Sequence, residues 1–388
     1  MRIYNDPANG KPSSHGPQLK KAYYMKSALE EAVKEQYFTQ LADVTAMPKN
    51  SGKMIERYVH IPLLDDRNIN DQGIDATGKK IKDGNLYGSS KDIGTITAKM
   101  PLVSEVGGRV NRVGFTRKTI KGTFQKYGYF TDYTQESMDF DTEEDLEAQV
   151  TKSMVNAANE ITEDLLQIDL INSAGVVVYG GAATEEAEVD ETSLVKYEDF
   201  ARLSVTLDNN RTPKNTKIIS GSRMVDTRTI NAARVMYAGS EVIQHLRKMK
   251  DYHGEKAFIS VEQYANGGEI LRGEVGTIDQ FRIIIVPEMM KWAGKGKAVG
   301  DDKAIHTTDG KADIFPMLVV GSESFTTIGF QTSGKSTKFV IYHKKPGEAT
   351  ANADDPFGER GFMSIKWYYG FMVLRPERIA LIKTALPL

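Results

Sequence analysis

A single long segment restricts this chain more than anything else in it. From Leu146 the apolar residues Val150, Met154, Ala157, Ile161, Leu165 and Ile168 recur at intervals of four, four, three, four, four and three. The average lies close to the 3.6-residue turn of a straight helix with one buried stripe. Thr142 stands at the N-cap position, and Glu143, Glu144 and Asp145 load the first turn with the negative charge that a helix N-terminus favours. No Gly or Pro intervenes until Gly175, placed where a C-terminal glycine cap belongs. About 30 residues at 1.5 Å rise predict a rod of roughly 45 Å, a structural spine well beyond the usual helix length.

The chain ahead of the spine is unusual in a different way. Residues 1 to about 18 are rich in Asn, Pro, Gly and Ser and read as an extended arm. A helix is predicted next, with Ser27 and Glu30 as a capping box and Met25, Leu29, Val33, Tyr37 and Leu41 on one face; Pro48, Asn50 and Gly52 close it. Met54 to Leu64 reads as a strand. The stretch NINDQGIDATGKKIKDGNLYGSSKDIGT, ending at Thr95, is polar, glycine-laced and short of core formers. Thr119 to Tyr133 is strand-like again, carrying Ile120, Phe124, Tyr127, Tyr129, Phe130 and Tyr133. A structureless loop of this length is rare inside a compact domain. The reading is a long protruding β-hairpin, which is marginal alone and needs a neighbour to lie on.

Beyond the spine, Val176 to Tyr179 reads as a strand, 184 to 191 as an acidic loop, and Tyr197, Phe200, Leu203 and Leu207 as one face of a second helix ended by Asn209, Asn210 and Pro213. Strands and helices then alternate to about Ser333, clearest at Lys217 to Ser220, Ser240 to Met249 and Phe281 to Val286, which suggests a separate α/β lobe. Near the end Met363, Ile365, Trp367, Tyr369, Phe371 and Val373 alternate with Ser364, Lys366, Tyr368 and Gly370, predicting a two-sided strand; Arg375, Pro376 and Glu377 turn it into Ile379 to Ile382.

Composition excludes several classes of function. With 388 residues and a formal charge of −2, the chain can bury a large core but lacks the basic surplus of a dedicated nucleic-acid binder. There is no cysteine, hence no disulfide, thiolate metal site or thiol nucleophile, as suits a reducing cytoplasm. No apolar run approaches the roughly 20 residues that span a bilayer, and the N-terminus lacks an apolar signal region.

One motif demands a decision. Gly329 to Ser336, GFQTSGKS, satisfies the P-loop pattern G-x-x-x-x-G-K-[ST]. A P-loop must leave a strand and open a helix, so that helix N-terminal amides cradle the phosphates. Here Thr337 to His343 is β-branched and aromatic and reads as strand, so a glycine turn between strands explains the letters better than a nucleotide site. Gly294, Gly296 and Gly300, interleaved with Lys295 and Lys297, miss the dinucleotide spacing and read as a flexible solvated loop. The histidines His15, His60, His245, His253, His306 and His343 are scattered without metal-ligand spacing. Asp65-Asp66 and Asp354-Asp355 are explained by turns, and no G-x-S-x-G elbow occurs. No catalytic, cofactor or metal residue is expected.

Charge is distributed more tellingly. Arg109, Arg112, Arg117, Lys118, Lys121 and Lys126 make the hairpin's return limb basic, while Asp139, Asp141, Glu143, Glu144, Asp145 and Glu147 make the start of the spine acidic. Two solvated faces of opposite sign would account for this. Alternatively Arg117, Lys118, Lys121 and Lys126 of one subunit lie across Glu143, Glu144 and Asp145 of the next, the charges setting register more than affinity.

Taken in order, these parts resemble the major capsid proteins of tailed phages, with the Hong Kong 97-type fold. The likeness covers most of the chain and includes GTIDQFRIIIVPEM at 276–289 and DPFGERGFMSIKWYYGFMVLRPERIALIKTA from Asp355 to Ala385. It rests on order and spacing, since none of these segments is a diagnostic short motif. It implies an α+β architecture: an N-terminal arm at 1–53, an extended hairpin loop at 54–135, a peripheral domain with the spine helix at 136–213, an axial domain at 214–335, and a return to the peripheral domain at 336–388. The resemblance further implies hexamers and pentamers that tile an icosahedral shell around double-stranded DNA, a precursor that expands, and a virion protein assembled in the host cytoplasm. The arm is too short for a built-in scaffold, so a separate scaffolding protein is expected, with a portal and decoration proteins as further partners. DNA contact should be weak and non-specific. Some relatives join Lys to Asn between subunits; nothing places an Asn or a catalytic carboxylate beside Lys79, Lys80, Lys82 or Lys91, so that chemistry is not carried over. An encapsulin-like compartment shell shares the fold and stays open as the second reading, with the P-loop protein as the third.

Overall fold

The computed structural model describes residues 35–41, 44–47, 52–61, 117–140, 146–219, 227–230, 234–263, 270–300, 304–330, 339–347, 350–351 and 353–388. The first elements are β1 (Val44–Met47), β2 (Met54–His60), β3 (Arg117–Thr134), α1 (Gln135–Phe140) and α2 (Leu146–Asn172). Then come β4 (Val176–Tyr179), α3 (Tyr197–Asn209), β5 (Thr216–Ile219), β6 (Thr227–Ile230), β7 (Arg234–Gly239) and α4 (Ile243–Lys248). Next are β8 (Phe258–Ser260), β9 (Glu274–Ile278), β10 (Phe281–Val286), β11 (Thr307–Thr308), β12 (Lys311–Ala312) and β13 (Phe315–Val320). The last four are β14 (Phe325–Phe330), β15 (Phe339–Lys344), β16 (Arg360–Val373) and β17 (Ile379–Thr384).

A seven-stranded sheet in the order β4-β17-β13-β7-β10-β9-β8 forms the main core. Its central strands RVMYAG, FPMLVV and IALIKT are buried at every position. Continuous apolar runs are what a strand covered on both faces requires, whereas the more peripheral β9 alternates. On one face Phe200, Leu203 and Leu207 of α3 and Leu246 of α4 pack with Met236, Ile283, Met317, Val319 and Ile382. On β7, Tyr237 alternates with Met236 and Ala238 and carries the ring of Phe38 at 4.3 Å.

The sheet takes strands from inside and outside the range 214–335. β4 and β17 lie outside that range yet belong to the sheet, and β14 lies inside it yet belongs to another. That second sheet has the order β1-β14-β16-β3-β2, with β15 also paired to β16. The closing segment expected at 336–388 therefore divides. β16 enters the six-stranded sheet, and a 3-10 turn at Pro376–Arg378 sends β17 into the seven-stranded one. Alternation along a strand reports that it is paired, not with which sheet.

The chain divides into two compact units. The smaller contains Thr131–Asn156 and His343–Met363 with the first 35 residues. In it Tyr133 Oη meets His343 Nε2, Gln135 N–H donates to the Glu359 carbonyl at 2.8 Å, and the Asp355 carboxylate accepts the N–H groups of Glu359 and Arg360. The larger holds Gln36–Phe130, Ala157–Tyr342 and Ser364–Leu388, and with them the seven-stranded core.

Several expectations need correction. The helix predicted to end at Leu41 lies outside the described residues as far as Lys34; Glu35 to Tyr37 carry no helix, and Thr39–Leu41 is a single 3-10 turn. The spine is helical from Leu146 to Asn172, with its predicted cap Thr142 outside the described residues. Its buried stripe is shifted: Met154, Ala158, Thr162, Glu163, Leu166, Gln167, Leu170 and Ile171 point inward, while Ile161 and Ile168 are 39% and 41% exposed. Three of the inward residues are polar, so hydrophobicity alone selects the wrong face. Each of the three has a partner: Thr162 Oγ1 donates to the Ala158 carbonyl at 2.8 Å, Gln167 Nε2 to Met289 Sδ at 3.0 Å, and Glu163 accepts backbone N–H groups.

Gly175 is not a left-handed cap, since it is absent from the residues with positive φ. Its N–H donates to the carbonyls of Pro376 and Ile379 at 3.0 and 3.1 Å, and a Cβ there would lie 2.5 Å from the Pro376 oxygen. Close backbone approach is what demands glycine. The loop at Gly294 to Gly300 is tied down, not loose. Gly294 N–H donates to Asp313 Oδ1 at 2.7 Å, Gly296 N–H to the Ala312 carbonyl at 2.9 Å, and Lys297 Nζ reaches Asp190 Oδ2 at 3.3 Å.

Candidate subunit-contact surface

The predicted hairpin exists at its base. β2 pairs antiparallel with the first half of β3, with Met54 opposite Thr123, Glu56 opposite Lys121, Tyr58 opposite Thr119 and His60 opposite Arg117. Residues directly opposite share a face. In the intervening register Ile55 lies opposite Gly122 and the exposed Arg57 opposite Ile120, and Ile55 and Ile120 pack inward on Phe124, Ile328 and Met372. Residues 62–116, the rest of the predicted hairpin, lie outside the described residues.

The outward face is half apolar and cationic. Met54 and Tyr58 are about half exposed, the Arg117 guanidinium lies 4.1 Å over the Tyr58 ring, and Lys121 Nζ is 3.0 Å from Glu56 Oε1. An exposed ion pair of this kind stabilises by about 0–1 kcal/mol, and an exposed cation–π contact by about 0.5–1 kcal/mol. Both contacts orient their cations more than they hold the fold.

Farther along β3 the buried parity changes. Ile120, Gly122 and Phe124 are inward, then Tyr127, Tyr129 and Tyr133 are the more buried positions, with Gln125 and Lys126 exposed between them. β16 changes parity in the same way: Met363, Ile365, Trp367 and Tyr369 are buried, then Gly370 and Met372. The predicted alternation through Phe371 and Val373 thus breaks at Gly370, where a Cβ would lie 2.7 Å from Phe124 Cβ. The two strands expose opposite faces in their two halves. In the aromatic half Tyr127 and Tyr129 meet Trp367 at 6.0 and 6.2 Å, the second edge-on. Burial, then the nearby Glu160 charge, holds the Tyr129 phenol above its ordinary value.

Of the basic residues singled out from sequence, Arg117 and Lys121 share the outward face with Tyr58. Lys118 stands on the opposite face across from Val59, and Lys126 marks the parity change; all four are exposed. Glu143, Glu144 and Asp145 lie outside the described residues. Sequence reasoning missed Glu56 and Tyr58 as partners of the basic limb, although pairing the hairpin brings Glu56 opposite Lys121 directly.

The P-loop letters do not find their context. β14 ends at Phe330, residues 331–338 lie outside the described set, and the next described element is strand β15, paired with β16, where a P-loop requires a helix. Among the described residues no group of three or more His, Asp or Glu side chains is placed to hold a metal.

Comparison with known proteins assigns the whole. The family model described as phage capsid protein matches residues 117–384. The major capsid protein of Pseudomonas phage KPP21 is 63% identical over 383 residues, spanning 98% of this chain and 96% of that protein. The capsid of Ralstonia phage GP4 matches with a TM-score of 0.59 at 12% identity, covering 97% of this chain and 98% of that one. The capsid of Helicobacter pylori bacteriophage KHP30 does so with 0.53 at 10% identity and 94% of each chain. At such identities the structural likeness carries the fold alone, and it bears out the expected α+β capsid fold. The full-length relative and the family model point to phage capsids and away from the compartment-shell reading. The match begins at the hairpin's return limb and ends in the last strand, and this chain belongs to the phage capsid protein family.

Proposed function

We propose that the chain is the structural subunit of a phage head, assembling with copies of itself into hexamers and pentamers of an icosahedral shell around double-stranded DNA. The family assignment supports the shell role. The observation that carries self-association is the outward face of the hairpin base, where Met54, Tyr58, Arg117 and Lys121 stay exposed on the edge pair of the six-stranded sheet. An edge ribbon with a mixed apolar and cationic face is suited to lie on an anionic surface, and the acidic start of α2 in a sister subunit is the partner we assign to it, through Glu143, Glu144 and Asp145. The role is structural and not enzymatic. A separate scaffolding protein, a portal and decoration proteins complete the particle, which forms in the host cytoplasm and holds its DNA weakly, as a net charge of −2 suits.

The test is reversal of Arg117, Lys118 and Lys121 to Glu, with negative-stain microscopy and sedimentation as the readouts. The expected result is a folded subunit that fails to form closed shells. Normal shells from that variant would remove the proposed contact while leaving the family assignment untouched.

A further inference from the structure

Residues 37–39, ahead of the first strand, converge on one carboxylate. Glu163 sits on the inward face of α2 and is buried, with no cation paired to it among the described residues. Its Oε1 accepts the backbone N–H groups of both Tyr37 and Phe38, and its Oε2 accepts that of Thr39 at 3.3 Å. Three consecutive amides converge on one side chain 124 to 126 residues away. From the sheet, Tyr237 Oη donates to the Tyr37 carbonyl at 3.0 Å. Phe38 is 1% exposed and lies against the Tyr237 ring, and the Tyr37 ring covers Gly273, whose φ is +74° and where a Cβ would fall 2.5 Å from Tyr37 Cε1. Burial pushes the Glu163 carboxyl above its ordinary range, with the arm's N–H groups pulling the other way.

We propose that Gln36–Leu41 is a releasable strap, latched by the Glu163 carboxylate and the Tyr237–Gly273 socket, that opens as a unit without unfolding the seven-stranded sheet. The strap adds no strand to that sheet; its polar fastening runs through side chains and includes no backbone ladder to the sheet. When it lifts, water replaces the three amides at Glu163, so the buried charge is compensated in both states. When Gln replaces the carboxylate, one uncharged oxygen is left for the amides of Tyr37 and Phe38, and an NH2 donor stands where Oε2 accepted from Thr39, so only the latched state suffers. The segment is therefore poised between two states that a single side chain biases. This inference concerns the single subunit and does not depend on the intersubunit contact proposed above.

Amide hydrogen exchange on the unassembled full chain tests it, with Glu163→Gln and Gly273→Ala pulling at the latch from different elements. Each variant should speed exchange at residues 36–41 by tenfold or more, while peptides from Phe315–Val320 and Ile379–Thr384 stay protected as before. The double variant should go little beyond the stronger single one, because both open the same latch. Unchanged exchange at 36–41 in Glu163→Gln overturns the proposal, and so does a rise spread equally over the central strands, which would make the segment part of the core. If Gly273→Ala does not fold, the Glu163→Gln profile alone decides between these outcomes.

Discussion

The Tyr369 hydroxyl donates to Asp169 Oδ2 at 2.9 Å, joining β16 to α2 across 200 residues of sequence. The donor belongs to the alternating inward residues of β16, and the acceptor is half-buried on the helix. Burial, then the Asp169 charge, drives the phenol far above its ordinary value. Replacing Tyr369 with Phe removes the donor and leaves a partly desolvated carboxylate short of a partner. The expected loss is about 1–3 kcal/mol of stability, read as a lower midpoint in urea with an unchanged slope. An unaltered midpoint would mean that the bond is replaced by solvent at no cost.

Asp169 itself supplies a pH test. Burial raises its carboxyl above the ordinary 3.8, against the opposing pull of the Tyr369 bond. A folded-state value above the unfolded one means that this group's stabilisation is complete below the unfolded value and is lost as pH rises through the folded value. Asp169→Asn keeps an oxygen to accept from Tyr369 but removes the titration. The melting temperature of the variant minus that of the parent should therefore increase between pH 4 and pH 7. A difference that is flat or falls over that range contradicts the assignment.

Gly122 lies where β3 passes over the second hydrophobic cluster. A Cβ there would approach Ile328 Cδ1 at 2.8 Å and Met372 Cβ at 2.9 Å. Gly122→Ala should destabilise by about 1–3 kcal/mol through overpacking. Gly254→Ala, at an open turn with φ +82°, tests backbone strain alone and should cost about 1 kcal/mol. Denaturant melts of the two variants separate crowding from conformation.

Lys121 distinguishes contacts within the hairpin from contacts between subunits. Its pairing with Glu56 is exposed, so Lys121→Ala should change subunit stability by less than about 0.5 kcal/mol. Shell yield at low salt should fall by more than that small change explains. Equal assembly of parent and variant across salt concentrations would confine Lys121 to its own hairpin.

How far the sequence reaches is visible element by element. The spine, α3, β10, β16 and the return limb all stand where periodicity and turn residues put them, because helix and strand patterns arise from interactions among near neighbours. Their order was enough to suggest the capsid resemblance. The same reasoning chose Ile161 and Ile168 for the buried face of α2, where the fold uses Glu163 and Gln167. A polar residue becomes inward only when a distant partner satisfies it, and Tyr37 lies 126 residues from Glu163.

Sequence by itself determined the spine, α3, β10 and β16 as helix or strand, the absence of thiol chemistry, and the basic character of the hairpin limb. Tertiary structure alone decided which sheet takes β14 and which takes β17, that Gly175 serves close approach and not a left-handed turn, and that the Gly294 to Gly300 loop is pinned. The physical reason is the range of the interactions. Backbone propensity and periodic burial act over a few residues, whereas sheet partner, parity change and polar burial depend on surfaces that meet only when the whole chain has folded.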